Sequence, residues 1–241
     1  PSFYFASILA ALAAMVTKVI SFTLPLMIVL YEFTFFPNFF QNFSKRIPKL
    51  LPFLGLLVVI PGIFIFQYGL DSDSEVTITK ETESISRIDY LLTQLNVIRT
   101  YLRLLVFPVK QHLDYDYPIS RNFFEPQILP SLLLHVGLIA FAVKIYRRHR
   151  LIAFGIFWFY LALSVESSII PIRDVIFEHR LYLPMAGFAI FLSASLSQLL
   201  RRKKEYLAVG IAVISIFGIL TFQRNKIWKN ECGGKIVGLT S

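Results

Sequence analysis

Cysteine is almost missing. Cys232 stands alone in 241 residues, which excludes an internal disulfide framework and any cysteine-rich metal site. Neither GxxxxGK[ST] nor GxGxxG occurs, so the chain carries no glycine-rich cradle for nucleotide phosphates. No segment repeats at a period of about 20–50 residues, as a solenoid or propeller would require. Charge is sparse at 16%, and acids are scarcer than bases, 15 against 24. Soluble domains carry roughly a quarter of charged residues, so cover this thin argues against one.

Hydrocarbon fills the chain instead. Hydrophobic residues make up 56%, phenylalanine alone occupies 24 positions, and the mean hydropathy is +0.64. Apolar segments at 3–16, 20–36, 50–70, 128–146, 151–165, 183–200 and 206–222 approach the ~20 residues that cross a bilayer core. The expected fold is an all-α polytopic transmembrane bundle of about seven crossings. Segments 3–16 and 151–165 are short, and need a tilted or broken helix to cross. The chain then divides into three crossings over 1–70, a loop over 71–127, four crossings over 128–222 and a tail over 223–241.

A net charge of +9 invites a nucleic-acid partner, but its distribution argues otherwise. Lys45, Arg46 and Lys49 form one basic run, Lys144, Arg147, Arg148 and Arg150 a second, and Arg201, Arg202, Lys203 and Lys204 a third. Each abuts an apolar segment, the pattern by which cytoplasmic loops retain Lys and Arg. The expectation is an integral, multi-pass protein with basic loops in the cytoplasm, no nucleic acid, and membrane lipids as its surroundings. The loop 71–127 and the loop 166–184 then face the other side.

In the long loop, apolar residues recur over 89–107 at Leu91, Leu92, Leu95, Ile98, Leu102 and Leu105. Gln94, Asn96, Arg99 and Arg103 fall between them, which predicts an amphipathic helix with one wet face. It would lie along the membrane surface or pack on neighbouring loops. Further on, Asp114 and Asp116 alternate with Tyr115 and Tyr117, so an extended strand would put both carboxylates on one side. They could take a metal or a sugar, or simply be solvated.

The densest polar group lies just before the sixth apolar segment. Glu166, Arg173, Asp174, Glu178, His179, Arg180 and Tyr182 all fall within the loop 166–184. Ionisable groups beside a membrane span are expensive and mark a functional site by default. An arginine fork there can grip a phosphate, and histidine can bond it or move a proton. The bland reading is a salt-bridge network that ties the loop to a helix end. Lys18, at the outer turn of the first hairpin, either snorkels to the interface or points at the same anion.

Glu166-Ser167-Ser168, Pro171, Asp174 and the run from Phe177-Glu178-His179-Arg180 to Leu181-Tyr182-Leu183-Pro184 carry a resemblance. So do Thr17-Lys18 with Phe22-Thr23-Leu24-Pro25, Tyr101-Leu102-Arg103 with Leu113 to Pro118, and Arg224-Asn225 with Trp228. Together they resemble the transmembrane and tetratricopeptide-repeat O-mannosyltransferases, in a form closer to their bacterial relatives. The pattern departs where Val19 follows Lys18 in place of an acid, and again over 231–235.

The resemblance implies a C-type glycosyltransferase fold that moves a sugar from a polyprenyl-phosphate-linked donor to a protein or glycan acceptor. It implies that Arg173, Glu178, His179, Arg180, Tyr182 and Lys18 meet the donor, with polar support from Glu166, Asp174, Arg103, Asp114 and Asp116. The catalytic acid or base is expected upstream of Pro1, and tetratricopeptide repeats beyond the tail, so this would be a fragment lacking both. No cofactor is demanded, although a divalent metal is compatible with the chemistry. The implied location is a bacterial inner membrane. Alternatives are a non-catalytic anchor for a repeat domain that binds proteins, and a transporter.

Overall fold

The computed structural model describes residues 2–36, 43–68, 85–109, 115–167, 175–200 and 202–231. Among them there is helix and no strand. Helix α1 is Ser2–Thr17, and a 3₁₀ turn over Val19–Thr23 leads into α2, Leu24–Phe35. Helix α3, Phe43–Gly55, passes through a 3₁₀ turn at Leu56–Val58 into α4, Val59–Tyr68. Then come α5 (Arg87–Val106), α6 (Ile128–Ile145) and α7 (Arg150–Leu163). A 3₁₀ turn over Glu178–Leu181 opens directly into α8 (Tyr182–Leu199), and α9 covers Lys203–Glu231.

Among the described residues four stretches are long and apolar enough to cross a membrane: Ser44–Ile63, Ile128–Ile145, Glu178–Leu199 and Lys203–Gln223. Phe3–Thr17, Val19–Phe35 and Arg150–Leu163 are also apolar but shorter. Proline explains where α3 gives way to α4. Pro61 lacks an N–H, and its ring presses on the carbonyl four residues back, at Leu57. The chain tightens there into a 3₁₀ turn and restarts with Pro61 in the first turn of α4. One boundary moves: this stretch was expected over 50–70, but its helix takes in Lys45, Arg46 and Lys49 as well.

Among the described elements, helices α7 and α8 make the most extensive pairing. They can approach because glycine faces glycine. A Cβ built on Gly155 would stand 2.6 Å from the Gly187 carbonyl oxygen, and one on Gly187 would stand 2.7 Å from that of Gly155. Small residues at a crossing let backbones close, and dispersion contacts and hydrogen bonds then hold membrane helices together. Trp158 Nε1 adds one, donating to the Leu183 carbonyl at 3.1 Å.

The contacts sort the helix ends. Arg46 is ion-paired with Glu32 and lies over the Phe36 ring, while the Tyr146 hydroxyl donates to the Phe33 carbonyl at 2.9 Å. This gathers the end of α2, the start of α3 and the α6–α7 turn, and with them the first two basic runs. Helix α8 runs antiparallel to α7, since Trp158 meets Leu183 while Ala153 and Ala194 share a core. Its C-terminus, followed by Arg202, therefore returns to the same end. The turn at Glu178–Leu181 lies at the opposite one.

Helix α5 crosses that opposite end, over the first turns of α6 and the last of α7. Ser86 caps it, its Oγ accepting from the Asp89 N–H at 3.1 Å. The expectation for its faces is overturned in one respect. Gln94 and Asn96, read as wet, are buried at 1% and 2% exposure, and Thr93 is buried beside them. Asn96 donates to Ser120 Oγ at 3.1 Å and accepts from Ser131 Oγ at 2.7 Å, which ties α5 to α6. Helix α5 is thus packed on its neighbours along a polar and aromatic stripe, while Ile88, Leu91 and Val106 face outward. Leu92 and Leu105 are buried with them, and the polar groups are tolerated there because Gln94 Nε2 and Asn96 find partners.

Candidate functional site

The turn at Glu178–Leu181 is held from beneath by α5. Tyr90, Gln94, Val97 and Tyr101 recur at helical spacing and are all buried, forming one face toward the loop. The Tyr90 hydroxyl donates to the Glu166 carbonyl at 2.9 Å, and Gln94 Nε2 to that of Val175 at 3.0 Å. Tyr101 does more. Its hydroxyl donates to the Phe177 carbonyl and accepts from the Phe177 N–H, both at 3.0 Å. Phe177 is thereby fixed in extended geometry just before the 3₁₀ turn. Burial pushes the Tyr101 hydroxyl up to about 12, so it holds its proton across the physiological range.

Arg180 turns inward. It is 5% exposed, with Nε 3.5 Å from Glu166 Oε2, Nη1 donating to the Val175 carbonyl at 3.4 Å, and its guanidinium 5.4 Å from the Phe177 ring centre. The ion pair lies within Coulombic reach but is not a hydrogen bond: among the described residues Glu166 Oε2 is buried without a hydrogen-bond partner, as are Gln94 Oε1 and Ser167 Oγ. The salt-bridge tie foreseen as the bland reading is therefore present between Arg180 and Glu166.

Glu178, His179 and Tyr182 turn outward. They border a groove of about 620 Å³. Its walls are Leu104, Leu105 and Pro108 from the end of α5, Met185, Phe188 and Leu192 on α8, and Val213, Phe217 and Leu220 on α9. Arg180 and Lys18 are not among its lining residues. Tyr182 is 81% exposed, and His179 is exposed with its ring 4.9 Å from that of Phe177. On the segment after α5, the Tyr115 hydroxyl donates to Glu178 Oε1 at 2.6 Å.

Compared with protein-family models, curated proteins and solved structures, the chain finds no match. The site is therefore read from its own geometry. Glu178, His179 and Tyr182 come together at the groove, and Arg180 and Glu166 pair behind it. Arg103 is exposed and donates to the Val109 carbonyl at 3.1 Å. Lys18 is exposed between α1 and the 3₁₀ turn that follows. Arg173, Asp174 and Asp114 lie outside the described residues. Asp116 is exposed, and among the described residues no three His, Cys, Asp or Glu side chains gather to hold a metal.

Tyr115, Tyr90, Gln94 and Tyr101 were missed as site residues. In the alternation over 115–119 the aromatics are the half-buried members and Asp116 points away. Tyr117 meets the Thr100 hydroxyl at 3.0 Å. Exposed Asp116 agrees with the solvated alternative, while Tyr115 and Tyr117 make the contacts of this segment. Elsewhere at this end, His135 joins three helices. The Leu95 carbonyl can only accept, so Nε2 carries the proton at 2.8 Å and neutral Nδ1 accepts from the Tyr160 hydroxyl at 2.9 Å. Glu125, which takes the Arg121 and Asn122 N–H groups ahead of α6, is held below the usual carboxylate range, chiefly by the Arg121 bond.

Proposed function

We propose that this is a membrane-embedded protein of the C-type glycosyltransferase kind, related to the transmembrane and tetratricopeptide-repeat O-mannosyltransferases. It transfers a sugar from a polyprenyl-phosphate-linked donor to a protein or glycan acceptor. The observation that carries the reading is the groove, whose walls are apolar along α8 and α9 and whose one polar end holds Glu178, His179 and Tyr182. Its volume falls within the roughly 300–1,000 Å³ of ordinary ligand sites. Two of the stretches able to cross a membrane flank it, so a lipid can reach it sideways from the bilayer.

In this reading the isoprenoid chain lies along α8 and α9, and the phosphate meets His179 and Tyr182. Buried Arg180 holds the turn in register. The basic end of the bundle is cytoplasmic and the groove's polar end lies on the outer side of a bacterial inner membrane. The shorter helices complete seven crossings. The outward Ile88, Leu91 and Val106 of α5 rest on the lipid surface.

The test is sugar transfer from a polyprenyl-phosphate donor in membranes that contain the protein. Replacing His179 with Ala should lower transfer about 10- to 100-fold, the range of one charge-assisted bond or one proton-transfer group, while the protein remains inserted. Unchanged transfer would sink this reading. A second reading, a non-catalytic anchor for a protein-binding repeat domain, is favoured by the enclosure of Arg180. It expects no transfer from the wild-type protein at all.

A further inference from the structure

The protein's surplus of charge is concentrated in the three basic runs. They hold eleven bases, and the acids near them in sequence are two, Glu32 and Glu205. The remainder of the chain has thirteen bases and thirteen acids, so the whole net charge of +9 belongs to these runs. Both acids are already engaged: Glu32 pairs with Arg46, and Glu205 lies 3.8 Å from Arg202 on an exposed surface. The stretch 37–42, which joins α2 to α3, contains no acid. Folding nevertheless brings the runs to one end, through Arg46 with Glu32, Tyr146 with Phe33, and the antiparallel course of α8 on α7. Like charges gathered this way repel, and an anion from outside the chain relieves them.

The depth of the cations says which anion. Lys45 and Lys49 lie in the first turns of the stretch Ser44–Ile63, Lys144 in the last turn of α6, and Lys203 and Lys204 in the first turn of α9. All five are exposed. A lysine at the end of a membrane-spanning helix lays its stem on hydrocarbon and its ammonium in the headgroup layer. Beside them Leu51, Val143 and Leu207 are each more than half exposed, so apolar surface continues directly from the charge. A soluble acidic protein would need cations raised above the bilayer. These sit within it, with surface for acyl chains adjoining surface for headgroups.

We infer that this pole is a binding surface for anionic phospholipids of the leaflet it faces. Each Lys or Arg near such a leaflet is attracted to it, and the headgroups supply the negative charge that the chain lacks there. Only the folded protein gathers the three runs, so the lipid binds the folded state preferentially and stabilises it.

The test is thermal unfolding of the full protein in nanodiscs of phosphatidylcholine alone and of phosphatidylcholine with about a third of phosphatidylglycerol. The anionic lipid should raise the midpoint by about 4 °C, the shift produced by a ligand at roughly ten times its Kd. About 0.5 M salt should remove most of that rise. A triple variant with one change per run, Lys49→Gln, Lys144→Gln and Lys204→Gln, should lose at least half of it. Arg87→Gln, Arg103→Gln and Arg121→Gln, the same change of charge at the opposite end, should retain it. Native mass spectrometry of the wild-type protein from the mixed nanodiscs gives a reading independent of any variant, and should show phosphatidylglycerol retained over phosphatidylcholine. Equal midpoints in the two lipids, equal losses in the two triple variants, or retention without preference would each overturn the inference. So would an equal rise with inorganic phosphate in phosphatidylcholine nanodiscs, which would make the pole a site for free anions.

Discussion

Arg180 illustrates how burial redirects a side chain whose chemistry suggests something else. Between two outward side chains, His179 and Tyr182, it faces Glu166, the Val175 carbonyl and the Phe177 ring. Taking a guanidinium out of water is expensive, and its partners recover that loss only while they are all present. Arg180→Ala should therefore destabilise the protein by about 3 kcal/mol, measured by reversible unfolding in detergent, since it strands a buried carboxylate. Arg180→Met combined with Glu166→Gln should lose much less than Arg180→Met alone. A double-mutant cycle showing no coupling would mean that the 3.5 Å separation is a neighbourhood and not a bond.

Among the elements, α7 and α8 hold the turn and the groove in place, and their closeness depends on two glycines. A side chain at Gly155 would meet the Gly187 carbonyl and the Phe191 N–H at 2.6 and 2.7 Å, both of them backbone atoms that cannot swing aside. Gly155→Ala and Gly187→Ala should each destabilise by about 1–3 kcal/mol, the usual penalty of overpacking, and loosen the groove that α8 borders. Gly210→Ala on α9, where nothing lies within 4 Å, is the control and should be neutral or slightly stabilising. Equal behaviour of all three would remove the glycine crossing as an explanation. Neither glycine stands out in the sequence, because pairing two helices is a non-local fact. Hydropathy, by contrast, located the four long spans, since length and apolarity are local. On α5 the apolar period was visible, with Leu92 and Leu105 buried and Arg103 exposed, but the burial of Gln94 and Asn96 was not. Tyr90, Gln94, Val97 and Tyr101 make the buried stripe, and only the partners Glu166, Val175 and Phe177 reveal why polar groups belong there. The polar cluster at 178–182 was legible as a group. Its division into Arg180 inward and Glu178, His179 and Tyr182 outward depends on a 3₁₀ turn that no periodicity announces.

For the whole molecule, the basic runs form one pole. The pairings Arg46 with Glu32 and Tyr146 with Phe33, together with the antiparallel run of α8 on α7, bring residues 45–49, 144–150 and 202–204 to a common end. Residues 116–125 and 178–182 share the other, because α5 lies across it and joins both to the starts and ends of the same helices. Lys and Arg are retained on the cytoplasmic side, so a bilayer should separate the two poles. With Cys232 replaced by Ser, single cysteines can be introduced at exposed positions of each pole. Lys45→Cys, Arg148→Cys and Arg202→Cys should all react with a membrane-impermeant maleimide from one face of sealed vesicles. Asp116→Cys and Phe124→Cys should react only from the opposite face. A split within either group would contradict the antiparallel order of α6, α7 and α8. Labelling of both groups from one face would mean that these helices lie in the membrane without crossing it, and the groove would then open to a single leaflet from the side that carries the basic charge.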